Sequence, residues 1–215
     1  MYSVYTSDFV ASLTGHTDTV TSIIPHPTQL LSIISSSLDW TVRIWSVDDF
    51  ALLRTIKLGN CENGVNGVKA TENELHLIIN GSYARIPLPD LSSSERVAKI
   101  DPTIVVEDVL NERISDSGSV DRQWSLNAKG KRIAFLSCPK FMKIYNIVTK
   151  NWRRVSFASF KDGEADKLDY HPREESIMVS FSSGKNVVFS NLLEGKPSST
   201  TYHWHQGRDD AAEQG

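Results

Sequence analysis

Leu13-Thr14-Gly15-His16 opens, and Thr41-Val42-Arg43-Ile44-Trp45-Ser46 closes, the stretch of this chain that decides its fold. Between them Val20-Thr21-Ser22-Ile23-Ile24 runs into His26-Pro27, Leu30-Leu31-Ser32-Ile33-Ile34-Ser35 follows, and Leu38-Asp39 interrupts the pattern before the final piece. Each apolar piece has strand length, is rich in β-branched residues, and is bounded by Pro, Ser or Asp turn chemistry. A sheet buried on both faces needs inner strands that read as nearly continuous apolar runs, and Leu30 to Ile34 is read as such a run. Asp48-Asp49-Phe50 then turns into an outer strand, Leu52-Leu53-Arg54-Thr55-Ile56. The reading is four short antiparallel strands over about residues 10–56, and an all-β fold.

A Gly-His start and a Trp-Asp finish, within a repeat of about 40–45 residues, mark the blades of WD-repeat β-propellers. This stretch resembles such a blade, with Trp45-Ser46 where the family has Trp-Asp. The resemblance implies a hydrogen-bonded structural tetrad. By position its members are His16, Ser35 or Ser37 (Ser35 is taken), Asp39 and Trp45. A buried polar set of this kind holds only when every member is paired, which makes it scaffold rather than catalytic machinery.

The remaining chain repeats the pattern in worn form. Tyr2-Ser3-Val4-Tyr5 and Phe9-Val10-Ala11-Ser12-Leu13 read as the last two strands of a blade whose first half is absent. A degenerate blade over about 58–91 has Val65 to Val68, Glu74 to Ile79, an Asn80-Gly81 hairpin turn and Tyr83-Ala84-Arg85-Ile86. Pro87 and Pro89 suit a strand exit. Residues of about 90–121 read as a long loop with a strand at Ile104-Val105-Val106, a helix over Val105 to Ile114 being the alternative. A third copy, about 122–157, runs Trp124-Ser125-Leu126, Arg132 to Ser137, Phe141 to Tyr145 and Trp152 to Phe157. A fourth, about 158–203, has Lys167 to Tyr170, a His171-Pro172 turn echoing His26-Pro27, Ser176 to Phe181 and Asn186 to Phe189. The aromatics at the Trp position, Tyr5, Trp45, Tyr145 and Phe189, lie 40, 100 and 44 residues apart, the middle interval spanning two blades. The expected domains are therefore a partial propeller over 1–206, an arc of about four blades, and a disordered acidic tail over 207–215. An arc cut from a larger ring, in a fragment or a truncated gene product, is expected over a closed four-bladed ring.

Composition bounds the function. With 40% hydrophobic and 23% charged residues, the 215-residue chain is ordinary for a soluble globular domain. A net charge of −3 gives no polyanion signature by bulk electrostatics, so partners are expected to be proteins. Cys61 and Cys138 show no CxxC spacing and suit two free thiols in a reducing compartment. No apolar run approaches 18 residues and no charged start precedes an apolar core, against a membrane helix or signal peptide. Neither GxSxG, GxxxxGK[ST] nor HExxH occurs, and Asp48-Asp49 and Glu174-Glu175 lie in turn-like contexts. His203-Trp204-His205 lacks a third ligand in register for a metal. No cofactor, metal or small-molecule substrate is expected. Lys150 to Arg154, with Trp152 among the basic residues, reads as a solvated outer edge, RNA contact by charge and stacking being the alternative.

One further resemblance narrows the family. Gly15 to Ile23 with Ser37 to Trp45, preceded by Tyr2-Ser3-Val4-Tyr5, is similar to the first propeller of the WD-repeat subunit of the U-three small nucleolar ribonucleoprotein, a family called U-three-associated protein seventeen in fungi and WD-repeat protein seventy-five in animals. That family opens a late blade with Trp-His, and Tyr202-His203-Trp204-His205 stands at the matching place. The resemblance implies a nucleolar, non-catalytic scaffold of the small-subunit processome that supports RNA polymerase I transcription and small-subunit rRNA processing. Its partners would be other WD-repeat and helical processome subunits, with pre-ribosomal or small nucleolar RNA contacted indirectly and no membrane. The alternatives are a generic WD-repeat adaptor, such as a ubiquitin-ligase substrate receptor, and a propeller hydrolase, which would need clustered acids or histidines facing the channel.

Overall fold

The computed structural model describes residues 8–58, 64–79, 82–89, 91, 124–157, 163–190, 192 and 198–203. These form fifteen strands and no helix, in four antiparallel sheets, so the all-β reading holds among the described residues. The chain divides into two compact units, Met1–Arg113 and Ile114–Gly215, each with two sheets of the propeller-blade type. The Tyr2 to Tyr5 strand, the 90–121 loop except Leu91, Cys61, Trp204-His205 and the 207–215 tail lie outside the described residues.

In the first unit, β1 (Val20–Pro25), β2 (Ser32–Ser37), β3 (Thr41–Ser46) and β4 (Leu52–Lys57) pair in sequence order. Two expectations need correction. Of the Phe9 to Leu13 strand only a single bridge at Phe9 remains, and Phe9 is exposed. Leu30 and Leu31 belong to the β1–β2 turn and stand exposed, and β2 starts at Ser32. The central strand of this blade is therefore a serine strand, Ser32-Ile33-Ile34-Ser35-Ser36-Ser37, and not a continuous apolar run. The physical reason is that its hydroxyls are paired: Ser36 with Thr21 at 2.9 Å, and Ser37 with the Asp18 carbonyl at 3.2 Å. Paired hydroxyls can be buried where bare ones cannot. The His26-Pro27 turn is closed by imidazole Nδ1, which accepts from Gln29 N–H at 3.2 Å.

Three strands follow, β5 (Val65–Ala70), β6 (Glu74–Ile79) and β7 (Ser82–Pro87). They share a core with the first blade in which Ile34, Val42, Ile44 and Ile56 meet Val65, Val68, Leu75 and Leu77. Thr21 Oγ1 ties the two blades by donating to the Val65 carbonyl at 2.7 Å. Gly64, with φ 71°, lets the chain enter β5 against the first blade. A Cβ there would sit 2.6 Å from the Leu38 carbonyl oxygen.

The second unit holds β8 (Trp124–Leu126), β9 (Arg132–Cys138), β10 (Phe141–Asn146) and β11 (Asn151–Ser156) as its first blade. Its second blade comprises β12 (Ala165–Tyr170), β13 (Ile177–Phe181), β14 (Lys185–Ser190) and β15 (Ser198–His203). Met142, Ile144, Val155 and Phe157 pack there against Leu168, Val179, Phe181 and Val187. A polar seam joins the same two blades: Ser125 Oγ donates to Asp169 and accepts from Tyr170 N–H, and Arg132 pairs with Glu175 at 2.6 Å.

Strand register unifies the four sheets. Trp45 faces Ile33, Ile86 faces Leu75, Tyr145 faces Ile133 and Phe189 faces Ile177, each at the same place between a second and a third strand. For Trp45, Tyr145 and Phe189 the expected aromatic period thus reflects a structural equivalence, with Ile86 in the degenerate copy, while Tyr5 lies outside the described residues.

Candidate functional site

The residue set singled out in the sequence converges in the first blade. His16 lies in the chain leading to β1, Ser35 on β2, Asp39 in the β2–β3 turn and Trp45 on β3. Trp45 Nε1 donates to Ser35 Oγ at 2.8 Å, and that oxygen lies 2.7 Å from His16 Nε2. His16 Nδ1 lies 2.8 Å from Asp39 Oδ2, and the His16 and Trp45 rings meet edge-to-face at 6.1 Å. Of the two serine candidates, Ser35 makes these contacts. Ser37 instead accepts from Asp39 N–H and donates to the Asp18 carbonyl.

Indole N–H can only donate, so Ser35 Oγ accepts it; a matched proton order follows when the serine turns its own hydrogen toward His16 Nε2 and Nδ1–H donates to Asp39. Every buried donor and acceptor in the chain Trp45→Ser35→His16→Asp39 is then matched. Thr41 is a fifth member that sequence reading missed. Its Oγ1 donates to Asp39 Oδ1 at 2.6 Å and lies 3.1 Å from His16 Nδ1, while its N–H reaches Asp39 at 3.0 Å. The signal was the Asp-x-Thr spacing, in which a carboxylate caps its own turn two residues on. That turn carries Trp40 at φ 65°, in the left-handed region that bulky residues seldom enter.

Burial pushes the Asp39 carboxyl up, but hydrogen bonds from Thr41, the Thr17 N–H and His16 outweigh it and hold the group at about 2, below its ordinary 3.8. Ser35–His16–Asp39 has the connectivity of a hydrolytic triad, yet its surroundings are those of a core. Ser35 is only 4% exposed, and its oxygen is already engaged by the Trp45 indole. A nucleophile must present its oxygen to a substrate carbonyl with an oxyanion site beside it. Here the hydroxyl lies inside the sheet. Among the described residues no group of three His, Cys, Asp or Glu side chains could hold a metal, and no helix is long and apolar enough to cross a membrane. Of His203-Trp204-His205, His203 ends β15 and the other two lie outside the described residues.

The same positions in the other blades are apolar. Ser35 is replaced by Leu77, Phe135 and Val179, and Trp45 by Ile86, Tyr145 and Phe189. In the degenerate blade a different buried pair appears, His76 Nδ1 against the Tyr83 hydroxyl at 2.7 Å. Burial, with the Arg85 charge, holds His76 down at about 4. In the sequence both residues were read only as strand members.

Repeated antiparallel blades with a common register, one of them bearing this His-Ser-Asp-Trp set, define the class as a WD-repeat β-propeller. The family model for the first β-propeller of WD repeat-containing protein 75 matches residues 1–212, and the chain belongs to that family. It is 25% identical to WD repeat-containing protein 75 of Xenopus laevis and 25% identical to that of Homo sapiens, over 95% of this chain and 25% of each relative. It spans about a quarter of the length of these relatives. The DDB1- and CUL4-associated factor 13 of Dictyostelium discoideum is 22% identical over 91% of this chain and 41% of that protein. In fold, the chain is similar to the β-propeller domain of Cps50 (Swd1) from Myceliophteria thermophila, with TM-score 0.50, 13% identity, and coverage of 76% of this chain and 50% of that one.

Proposed function

We propose that this chain serves as a non-catalytic scaffold in ribosome biogenesis, within the small-subunit processome of the nucleolus, where it supports RNA polymerase I transcription and small-subunit rRNA processing. The observation that carries the reading is membership of the WD repeat-containing protein 75 first-propeller family over residues 1–212. The His16–Ser35–Asp39–Trp45 set has a structural role in it, fixing the lead-in segment to the first blade. The enclosed Ser35 hydroxyl supports that role over a catalytic one. Other WD-repeat and helical subunits are the partners.

A second reading is favoured by the likeness to DDB1- and CUL4-associated factor 13. On that reading the chain is an adaptor of the ubiquitin-ligase type. Affinity purification of the tagged protein from growing cells separates the two. Recovery of U-three small nucleolar RNA with processome proteins is expected, whereas recovery of cullin-ligase subunits without that RNA would replace the first reading by the second.

A further inference from the structure

The turn between the first two strands of a blade recurs along this chain with the same backbone bonding. The Leu31 carbonyl accepts from Val47 N–H at 2.8 Å, that of Asn73 from Leu88 N–H at 2.8 Å, and that of Lys131 from Ile147 N–H at 2.9 Å. Leu31, Asn73 and Lys131 are therefore equivalent. In the β12–β15 blade His171 N–H reaches the Ser176 carbonyl as His26 N–H reaches that of Ser32, both at 2.9 Å, which puts Glu175 at the same place. The turn thus ends in Leu30-Leu31 in the first blade and in Glu72-Asn73, Gly130-Lys131 and Glu174-Glu175 elsewhere.

Polar residues or glycine fill this turn in the other blades, so folding does not ask for leucine. Leu30 is 101% exposed and Leu31 60%, and neither belongs to the core. The segment that carries them is fixed nonetheless. Gln29 N–H donates to His26 Nδ1 at 3.2 Å and Ser32 N–H to the Gln29 carbonyl at 3.1 Å. The adjoining β3–β4 turn shows the same exchange: Phe50, at φ 59°, stands where the β8–β11 blade has Lys150, also at φ 59°. With half-buried Val47 and Phe50 beside them, the leucines form a patch rather than one stray apolar residue, and it is the patch that carries information.

Charge indicates what covers it. β1 and β5 lie side by side and run the same way, Thr21 reaching the Val65 carbonyl and Ser22 that of Val68, so the turns that follow them share one end of the unit. The turn residues 25–31, 47–51 and 71–73 at that end include Asp48, Asp49 and Glu72, all exposed, and no Lys or Arg. Blades pack on one another through their sheet faces, and this patch lies beyond the strand ends.

We infer that the joined β1–β2 and β3–β4 turns of the first blade are a docking surface for a partner protein, anchored on Leu30 and Leu31, and that the docked segment carries apolar side chains flanked by Lys or Arg. An apolar centre with a polar rim is the anatomy of an interface, and the acids of this rim select a basic segment over an acidic one. A second copy of this chain, docked by the same surface, would bring the same acids together. Residues 92–123 hold seven acids against four bases and match no better. The inference deepens the scaffold reading, from which it takes a protein as the partner, and does not depend on the processome assignment.

The test sets a photo-crosslinking residue beside the leucines and leaves both in place. Tagged protein with Gln29→p-benzoylphenylalanine is irradiated in growing cells and purified, and the cross-linked peptide is sequenced by mass spectrometry. The adduct is expected on another protein, in a segment of net positive charge with large apolar residues. Lys129→p-benzoylphenylalanine, at the equivalent turn, should not give it. A synthetic peptide of the sequenced segment then serves as the probe in fluorescence anisotropy. Leu30→Ser with Leu31→Ser should weaken its binding roughly tenfold or more. Asp48→Lys should weaken it about fivefold, and that loss should shrink as salt is raised, which a packing defect would not do. Thermal melts of both variants should match the wild type, because the altered side chains are exposed. Absence of an adduct would overturn the inference, as would an adduct on a second copy, on residues 92–123, or on an acidic or uncharged segment. Peptide binding indifferent to the leucine pair would overturn it too. Recovery of U-three small nucleolar RNA without the adduct would sink this inference alone, and the adduct without that RNA would sink the processome assignment alone.

Discussion

Ser35 holds together two groups that would otherwise be buried without partners, the Trp45 indole N–H and His16 Nε2. Ser35→Ala removes both contacts at once, and each orphaned group costs about 1–3 kcal/mol. Trp45→Ala deletes a side chain that is 3% exposed, at a cost of about 3–5 kcal/mol. Combined with Trp45→Phe, Ser35→Val should cost less than the sum of the two, because the apolar pair matches Val179 and Phe189 at the same register. Chemical denaturation of Ser35→Val, Trp45→Phe, the double variant and the unaltered protein measures this, and strict additivity would show that the set is not coupled. Acid probes the other end. The unfolded Asp39 takes its proton near 3.8 and the folded one not until about 2, so its stabilisation is complete above about pH 4 and fades as pH falls toward 2. Asp39→Asn should flatten that limb of an acid titration followed by circular dichroism, and an unchanged limb would place the acid sensitivity elsewhere.

Within elements, the same chemistry explains what could be read beforehand and what could not. Gly15-His16, the His26-Pro27 turn and Trp45 are readable because each has a fixed place in a repeat, and a residue type at a fixed place needs no knowledge of its neighbours. Leu30 and Leu31 misled, since hydropathy alone makes them strand while the strand register turns on hydroxyl partners supplied by Thr21 and Asp18. Those partners are 15 and 19 residues distant from Ser36 and Ser37, beyond any local pattern. The His76–Tyr83 pair was hidden for a related reason: histidine in a strand gives no sign of whether its nitrogens will be paired. It has a consequence for the β5–β7 blade. The unfolded imidazole binds a proton near 6.5 and the native one only near 4, so the unfolded state takes up more protons and stability declines as pH is lowered between those values. His76→Leu with Tyr83→Phe removes the titrating group and its phenol together, and thermal melts of that variant should lose part of the decline. Buried His26, also shifted down by burial, keeps the remainder. A decline identical to the wild type would mean that His76 is already open to solvent.

At the scale of the molecule, each compact unit has a hydrophobic cluster of its own. Among the described residues, Ile34, Val42, Ile44 and Ile56 belong to a cluster of first-unit residues, and Met142, Ile177, Val179 and Val187 to a cluster of second-unit residues. Blade equivalence was legible from period, but this division was not. Period treats all neighbours alike, whereas cores form wherever apolar faces are brought together. If cooperativity follows the cores, local opening should respect the boundary between units. Ile34→Ala, at a fully buried position, should cost about 2–5 kcal/mol and act on the first unit alone. Hydrogen exchange followed by mass spectrometry reads this out by segment. Peptides from β2, β3 and β6 are expected to exchange much faster in the variant, while those from β9, β10, β13 and β14 retain wild-type protection. Accelerated exchange spread evenly over both sets would show that the chain opens as one cooperative unit, with stability shared across the unit boundary.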